Sequence, residues 1–461
     1  MERDGPVVNQ VFSEFGEISG MCLNVPKCVF IPLWLDSPER AAAVVSAWVP
    51  QWANFKVQYW GKYLGFVIGP EKSEHLWKAA LAKYTDRARS WASLGLGLQF
   101  NAAIYNAYVL SVLTFLLQLA VLPPEFAAIE AAALRRLAPG PGNWIQPEDL
   151  YFLADSFGQA RSFADPLVVS IAARVRVHAC EAATSGGLQA PARAADLRAW
   201  LAANPPQHWD DWYAHAPALI VERGLGDFQR ITRFPVRRLL QGMAVPRAGE
   251  SSADAVARAR KSCQRAAAQW LMQARRPIAE DRMRDRIERW RLPGPPLRVA
   301  RRILRHYDRL RCLGPPRLGA AALSTAWNRW CTERRFGRQG PCVLGCQAVG
   351  AEDSIEHYSA CSVVRRFAAH FLRLVFPGSR GVAVITLAAP EVGDDTALVR
   401  AAVLAYAVWR HTEATRRSGL QGYAASFHEQ ALQQAARQAV RGHSRAAKIL
   451  DGGAPATRLG L

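Results

Sequence analysis

The spacing of hydrophobic positions changes character along the chain and marks out six stretches. In residues 1–70 short apolar runs alternate with turns. VFSEFGEISG reads as the end of a helix entering a glycine turn, and MCLNV and KCVFI as short strands around an Asn-Val-Pro-Lys corner. DSPERAAAVVSAW predicts a helix with Ser37 as its cap and Pro38 in its first turn, where a missing N–H costs nothing. FKVQYWGKYLGFVIG gives two strand-like pieces about Gly61. Residues 71–145 read as a helical bundle. SEHLWKAALAKYTDRARSWA has apolar residues at helical spacing and is closed by Gly95 and Gly97. Residues 100–122 are apolar nearly all round, which predicts the central helix of that bundle. PPEFAAIEAAALRRL follows, with Pro124 and Glu125 in its first turn.

Residues 146–250 are less periodic, with a helix opening at Asp165 and Pro166 and a boundary near 245–252. Residues 251–335 are an Arg-rich helical region ending in LGAAALSTAWNRWCTERR, an amphipathic helix by its pattern. Residues 336–375 hold a short Cys/His element. Residues 376–461 give two helices, DTALVRAAVLAYAVWRHTEATRR and ASFHEQALQQAARQAV, and a tail from Gly442 expected to be loose. The predicted fold class is mostly α: a small α+β N-terminal region, a helical bundle, and a helical C-terminal region around a Cys/His knuckle.

Composition supports the helical reading, because Ala and Arg are abundant and both favour helix. The net charge of +20 suits RNA or DNA as a partner, although GC-rich coding alone enriches the same residues. MERDGPVVNQ has no secretory pattern. AYVLSVLTFLLQLAVLPPEF carries Ser, Thr and Gln, falls short of a membrane span, and is expected to be a buried helix. Nine cysteines at uneven spacing suit a reducing compartment, nucleus or cytoplasm, in a chain that is not secreted. The arginines from Arg275 to Arg311 have two readings. They are a groove for phosphates, or a solvated helix face paired with Asp281, Asp285 and Glu288.

The sharpest chemical signal is PCVLGCQAVGAEDSIEHYSAC. Cys342 and Cys346 sit on a turn that Gly345 relaxes, and His357 and Cys361 lie one helical turn apart behind Ser354 as a cap. Three thiols and an imidazole suit tetrahedral zinc in a closed, structural site. The alternative is a set of buried thiols beside an ordinary histidine. Cys331 is assigned to packing rather than to the metal. Arg334, Arg335, Arg338, Arg365 and Arg366 flank the element and could meet RNA or DNA.

EFGEISGMCLNVPKC, KYLGFVIG and the helical run from Trp77 to Leu119 resemble the C-terminal half of the reverse transcriptase of non-LTR (LINE-type) retrotransposons. In that family these stretches are the end of the palm, the approach to the primer grip, and the thumb, with a Cys/His element downstream. The resemblance implies that Asn24 and Lys27 match a Leu-Asn-x-x-Lys element, with Lys27 near the incoming nucleotide's phosphates; a plain surface lysine is the other reading. It implies that Lys62, Tyr63 and Gly65 lie near the primer strand, where the aromatics Tyr59, Trp60 and Tyr63 would stack, core packing being their alternative. The family's Mg2+ is held by a Phe/Tyr-x-Asp-Asp turn that would precede FGEISG, so Mg2+ is expected only in an intact parent polymerase. The Cys342–Cys346 spacing departs from the family by one residue. The expectation is a fragment of an RNA-directed DNA polymerase, inactive as written, that retains RNA or DNA binding and has the missing N-terminal polymerase portion as a partner. The alternatives are a zinc-knuckle nucleic-acid-binding module and a helical structural protein.

Overall fold

The computed structural model describes residues 4–173 except 34–36 and 143, a few positions between 176 and 273, residues 275–451 except 347, 420 and 421, and residues 457–458. Most of the expected connecting region and the boundary near 245–252 lie outside the described residues. The chain forms two compact units, Met1–Asp86 and Arg87–Leu461.

The first unit opens with α1 (Asp4–Ser19), which ends at Gly20 in the left-handed conformation, the expected glycine turn. Of its residues only Gly5 is buried, while Val7, Val8, Val11, Phe12, Phe15 and Ile18 are exposed. The Asn-Val-Pro-Lys corner is a 3-10 turn, Val25–Lys27. Of the two strands expected around it, only the second forms: β1 (Val29–Phe30) pairs in parallel with β2 (Lys56–Val57). Pro26 cannot donate to a ladder, and the turn consumes the amides that follow it. In α2 (Pro38–Trp48) the Ser37 hydroxyl accepts the Arg40 amide at 3.1 Å, as its sequence predicts. A small core of Val45, Val49 and Trp52 forms beneath it, with Phe30, Trp48 and Phe55 packed alongside. Then β3 (Gly61–Tyr63) and β4 (Phe66–Ile68) make a hairpin in which Tyr63 faces Phe66. Its two linking residues, Leu64 and Gly65, have φ of 47° and 87°, the type I′ geometry that matches strand twist. The helices α3 (Lys72–His75) and α4 (Lys78–Ala92) follow.

In the second unit the apolar run 100–122 is not one helix. It breaks into α5 (Leu98–Ile104), a π turn (Tyr105–Val109), a 3-10 turn (Leu110–Val112) and α6 (Thr114–Leu117). The break has a cause in Asn106. Its amide donates to the Ser162 carbonyl at 3.0 Å and its carbonyl oxygen accepts the Ala164 amide at 2.8 Å, which stitches the π turn to a distant loop. One stripe, Tyr105, Val109, Leu113 and Leu117, is buried, whereas Phe100, Tyr108, Phe115 and Leu119 are exposed. The run is therefore not the central helix.

α7 (Phe126–Leu137), α8 (Pro147–Tyr151) and α9 (Leu153–Phe157) lead to a helix beginning at Pro166, where Asp165 accepts the Leu167 and Val168 amides as a cap. Further on come α10 (Ala279–Ile287), α11 (Pro296–Leu313) and α12 (Pro316–Ala326). Expected as amphipathic, α12 is instead buried along almost its whole length, because small alanines let neighbours close in on every side. It also ends at Ala326, short of the cysteine element. Next are α13 (Ile355–Ala360), α14 (Ser362–His370), β5 (Leu374–Val375) and α15 (Gly381–Ile385). α16 (Asp395–Ser418) is the true centre: Ala397, Ala401, Ala402, Ala405, Ala407, Val399, Val403 and Leu404 are fully buried, and α11, α12, α15 and α17 (Ala425–Val440) pack around it. The tail expected to be loose carries α18 (Ser444–Asp451), packed on α16 and α17, and β6 (Thr457–Arg458), paired in parallel with β5. The architecture is mostly helical. No helix among the described residues is long and apolar enough to cross a membrane.

Candidate metal centre and basic surface

Cys342 and Cys346 lie on a turn that begins at a β-bridge between Pro341 and Glu352. Gly345 has φ of 65°, and a Cβ there would stand 3.1 Å from the Tyr423 carbonyl oxygen, so both dihedral and space favour glycine. Ser354 caps α13 by accepting the His357 amide at 3.1 Å, which fixes the helix that carries His357. Cys361 is the N-cap position of α14. The ligand atoms of Cys342, Cys346, His357 and Cys361 all lie within 4.8 Å of one another. The Cys342 and Cys361 sulfurs are 4.0 Å apart, and the Cys346 sulfur is 3.2 Å from His357 Nε2. A tetrahedral ion with bonds of about 2.3 Å to sulfur needs sulfurs separated by ~3.8 Å, so the donor set fits such an ion. Nε2 is the histidine atom that faces inward.

Cys342 and Cys361 are buried and the other two are half-buried, so protein surrounds the ligand atoms. The thiol of Cys361 is pulled down to about 4, first by the hydrogen bond from Cys342 and then by His357 and the Val363 and Val364 amides, against the opposing effect of burial. Its sulfur sits at the N-terminus of α14, where a thiolate is favoured. Cys342 is pushed up, as the donor to Cys361 and by burial, and Cys346 is pushed up mainly by burial. A bound divalent ion would hold all three as thiolates.

Behind the cluster stands a residue that the sequence did not single out. Asp353 is 1% exposed and accepts four hydrogen bonds: Arg416 Nε at 2.9 Å, Arg416 Nη2 at 2.6 Å, the Tyr358 hydroxyl at 2.6 Å and the Glu333 amide at 2.9 Å. Its own amide donates to the Gly340 carbonyl at 2.8 Å, and its carbonyl accepts from Arg334 at 3.3 Å. One carboxylate thus joins the 333–341 loop, α13 and α16. Burial raises its pKa, but the bonds from Arg416 and Tyr358 outweigh this and hold it below the usual range. The only sequence signal was a lone aspartate immediately before a Ser cap.

Cys331 lies outside the cluster, with its amide bonded to Glu413 at 3.1 Å. Arg334 is paired with Glu352, and Arg366 with Glu429 at 2.6 Å, whereas Arg365 is exposed. In the first unit Asn24 stands at the cap position of the 3-10 turn ending at the exposed Lys27, without a side-chain capping bond. Lys62, Tyr63 and Gly65 are exposed on the β3–β4 hairpin, so Tyr63 is not a core residue, while Trp60 stacks on His75 at 4.1 Å. Gly65 is required by its φ. The close backbone approach occurs instead at Gly69, where a Cβ would lie 2.2 Å from the Tyr59 carbonyl oxygen.

The arginines of the Arg-rich region divide into two sets by what they touch. Arg275 pairs with buried Asp165, Arg282 and Arg286 flank buried Asp149 at 3.4 and 3.7 Å, and Arg309 pairs with Asp395 at 2.7 Å. Arg284 joins Asp281 and Asp285, and Arg302 donates to the Ala388 carbonyl at 2.7 Å. All but the Arg284 pairs, which are exposed contacts within one helix, are tethers between elements. Arg291, Arg298, Arg301, Arg305 and Arg311 are exposed and make no ion pair or side-chain hydrogen bond among the described residues. Arg298, Arg301 and Arg305 share one face of α11, spaced about 4.5 and 6 Å along its axis, with Asp308 exposed at the far end of the row. No protein-family model, curated protein or solved structure matches this chain.

Proposed function

We propose that the chain is a helical nucleic-acid-binding protein whose Cys342, Cys346, His357 and Cys361 hold a structural zinc ion. The observation that carries the binding reading is the row of exposed, unpaired arginines on α11, set against Arg275, Arg282, Arg284, Arg286 and Arg309, which the chain's own carboxylates meet. Arginines left without a carboxylate at near-phosphate spacing favour a polyphosphate backbone. The closed cysteine cluster contributes folding energy rather than chemistry, since protein groups supply four ligands. A polymerase ancestry for the first unit belongs to the same proposal. It is supported by the exposed β3–β4 hairpin and the Val25–Lys27 turn, which are the segments that resemble the family. In that reading Lys27, Asn24, Lys62 and Tyr63 are an inherited nucleic-acid-facing surface, and Mg2+ belongs to the intact parent.

Two measurements test this. Metal analysis of the purified chain should return one zinc per chain, lost on Cys361→Ser and kept on Cys331→Ser. Binding of duplex and single-stranded probes should weaken steeply with salt. Zinc without nucleic-acid affinity would leave the structural-protein reading in its place.

A further inference from the structure

Phe336 is 51% exposed at the end of a 3-10 turn, Arg334–Phe336, that is firmly anchored. The Glu333 amide and the Arg334 amide bond to Asp353, the Phe336 amide bonds to Glu333 at 3.0 Å, and Gly340 closes the loop on the Asp353 amide. The aromatic ring is therefore held out by a rigid turn. Three arginines neighbour it along the chain, one of them over the ring. Arg338 lies 5.9 Å over the ring and 3.9 Å from Glu333, and Arg334 pairs with Glu352 and lies 3.9 Å from Glu356. Arg335 has no acidic partner among the described residues, and its guanidinium lies 3.7 Å from where a Cβ on Gly142 would stand. Arg335 also repels Arg289 and Arg286.

Resting on the nucleic-acid reading above, we propose that this turn is a stacking site for an unpaired base, with the Phe336 ring against the base and Arg334, Arg335 and Arg338 on the adjoining phosphates. Two of these arginines already hold carboxylates at the surface, and a phosphate offers the same oxygens with more charge. Arg335 holds none and gains its first counter-ion. Bases inside a duplex are stacked on both faces and have no face to offer the ring, so the turn selects single strands. The row on α11 contacts phosphates of any nucleic acid, and the Phe336 turn adds the preference for unpaired strands.

The test uses the full, zinc-loaded chain and fluorescence anisotropy with three probes: an unstructured RNA, a DNA of the same sequence, and its duplex. Phe336→Ala should weaken binding to the single strands about tenfold and leave the duplex within about twofold, and Phe336→Tyr should restore the wild-type value. The strand with the larger loss identifies RNA or DNA as the preferred source of the base. Because Phe336 is outside the core, zinc content serves as the check that the variant is folded. An equal loss on all three probes, or no loss on the single strands, overturns the stacking site while leaving the α11 row intact. A wild-type chain that binds none of the probes overturns both readings, and points to a protein partner for these arginines.

Discussion

Replacing Arg416 by Met removes the counter-ion of Asp353 while keeping the bulk of the side chain. The carboxylate is 1% exposed and Arg416 supplies two of its four hydrogen bonds, at 2.9 and 2.6 Å. The arginine side chain is itself only 13% exposed, so water cannot readily replace it. Breaking a buried pair from one side costs about 3–5 kcal/mol, chiefly because the other charge is left behind. At about 1.4 kcal/mol per factor of ten, that is roughly two to three and a half orders of magnitude in local opening. The readout is native-state hydrogen exchange, followed by mass spectrometry on peptides spanning 333–362. The dependence on pH is a second constraint. In the wild type the Asp353 pKa is depressed, so its contribution is present above the unfolded value near 3.8 and disappears as pH falls below it. In the variant burial is no longer opposed by Arg416, so the folded pKa rises, and the penalty is greatest at neutral pH and fades as pH falls through that raised value. The gap between variant and wild type should therefore narrow on acidification, and Asp353→Asn combined with Arg416→Met should recover much of it. Protection unchanged at pH 7, or a gap independent of pH, would refute the assignment of Asp353 as the hub.

Three further outcomes follow from particular positions. Gly158 has φ of 59° and a Cβ there would lie 2.7 Å from the Tyr307 backbone, whereas Gly95 has the same φ and open space around it. Gly158→Ala should therefore lower the melting temperature clearly more than Gly95→Ala, for which only the backbone strain of about 1 kcal/mol applies; equal effects would show that the close approach costs nothing. His411 is buried, with Nε2 2.9 Å from His428 Nδ1, and burial followed by the neighbouring His428 depresses its pKa to about 4. The unfolded chain then binds the proton first, so stability should decline between pH 6.5 and pH 4 by up to about 3 kcal/mol. Urea titrations of His411→Gln should show a flatter profile in that window. Finally, Arg298→Gln, Arg301→Gln and Arg305→Gln together should lower the salt slope of duplex binding by about three, whereas Arg284→Gln, whose charge is already met by Asp281 and Asp285, should change it little.

What was legible in the sequence was local. Ser37, Ser354 and Asp165 bond amides two or three residues ahead, so a cap can be read from a few letters. The two long C-terminal helices and the Cys342–Cys361 cluster are likewise encoded by spacing, and Gly345 signalled its left-handed turn. Distant partners were not legible. Asp353 and Arg416 are 63 positions apart, and nothing in either neighbourhood announces the other. The arginines looked alike as letters, and only the fold shows that Arg282 and Arg286 reach back to Asp149 while Arg298, Arg301 and Arg305 face outward. The apolar run 100–122 misled for a related reason. Hydrophobicity says that a segment has somewhere to pack but not that it stays straight, and Asn106 reaches a loop more than fifty residues away. The helix in the tail was missed because a chain terminus was expected to be loose, although Gly442 and His443 are only a corner before Ser444.

A loop of twenty residues closed by a Cys/His cluster invites the idea of a cassette that could be cut out and grafted elsewhere. The clasp between Asp353 and α16 argues otherwise. A peptide cut at either side of the cysteine cluster would carry a desolvated carboxylate whose cation was left in another helix, and a Gly345 turn parted from the Tyr423 backbone it lies against. Such a peptide could bind an ion and still lose its shape. The heritable unit here is the cluster together with the helices that enclose it, so an insertion between Gly340 and Cys361 should disturb those helices as well as the cluster.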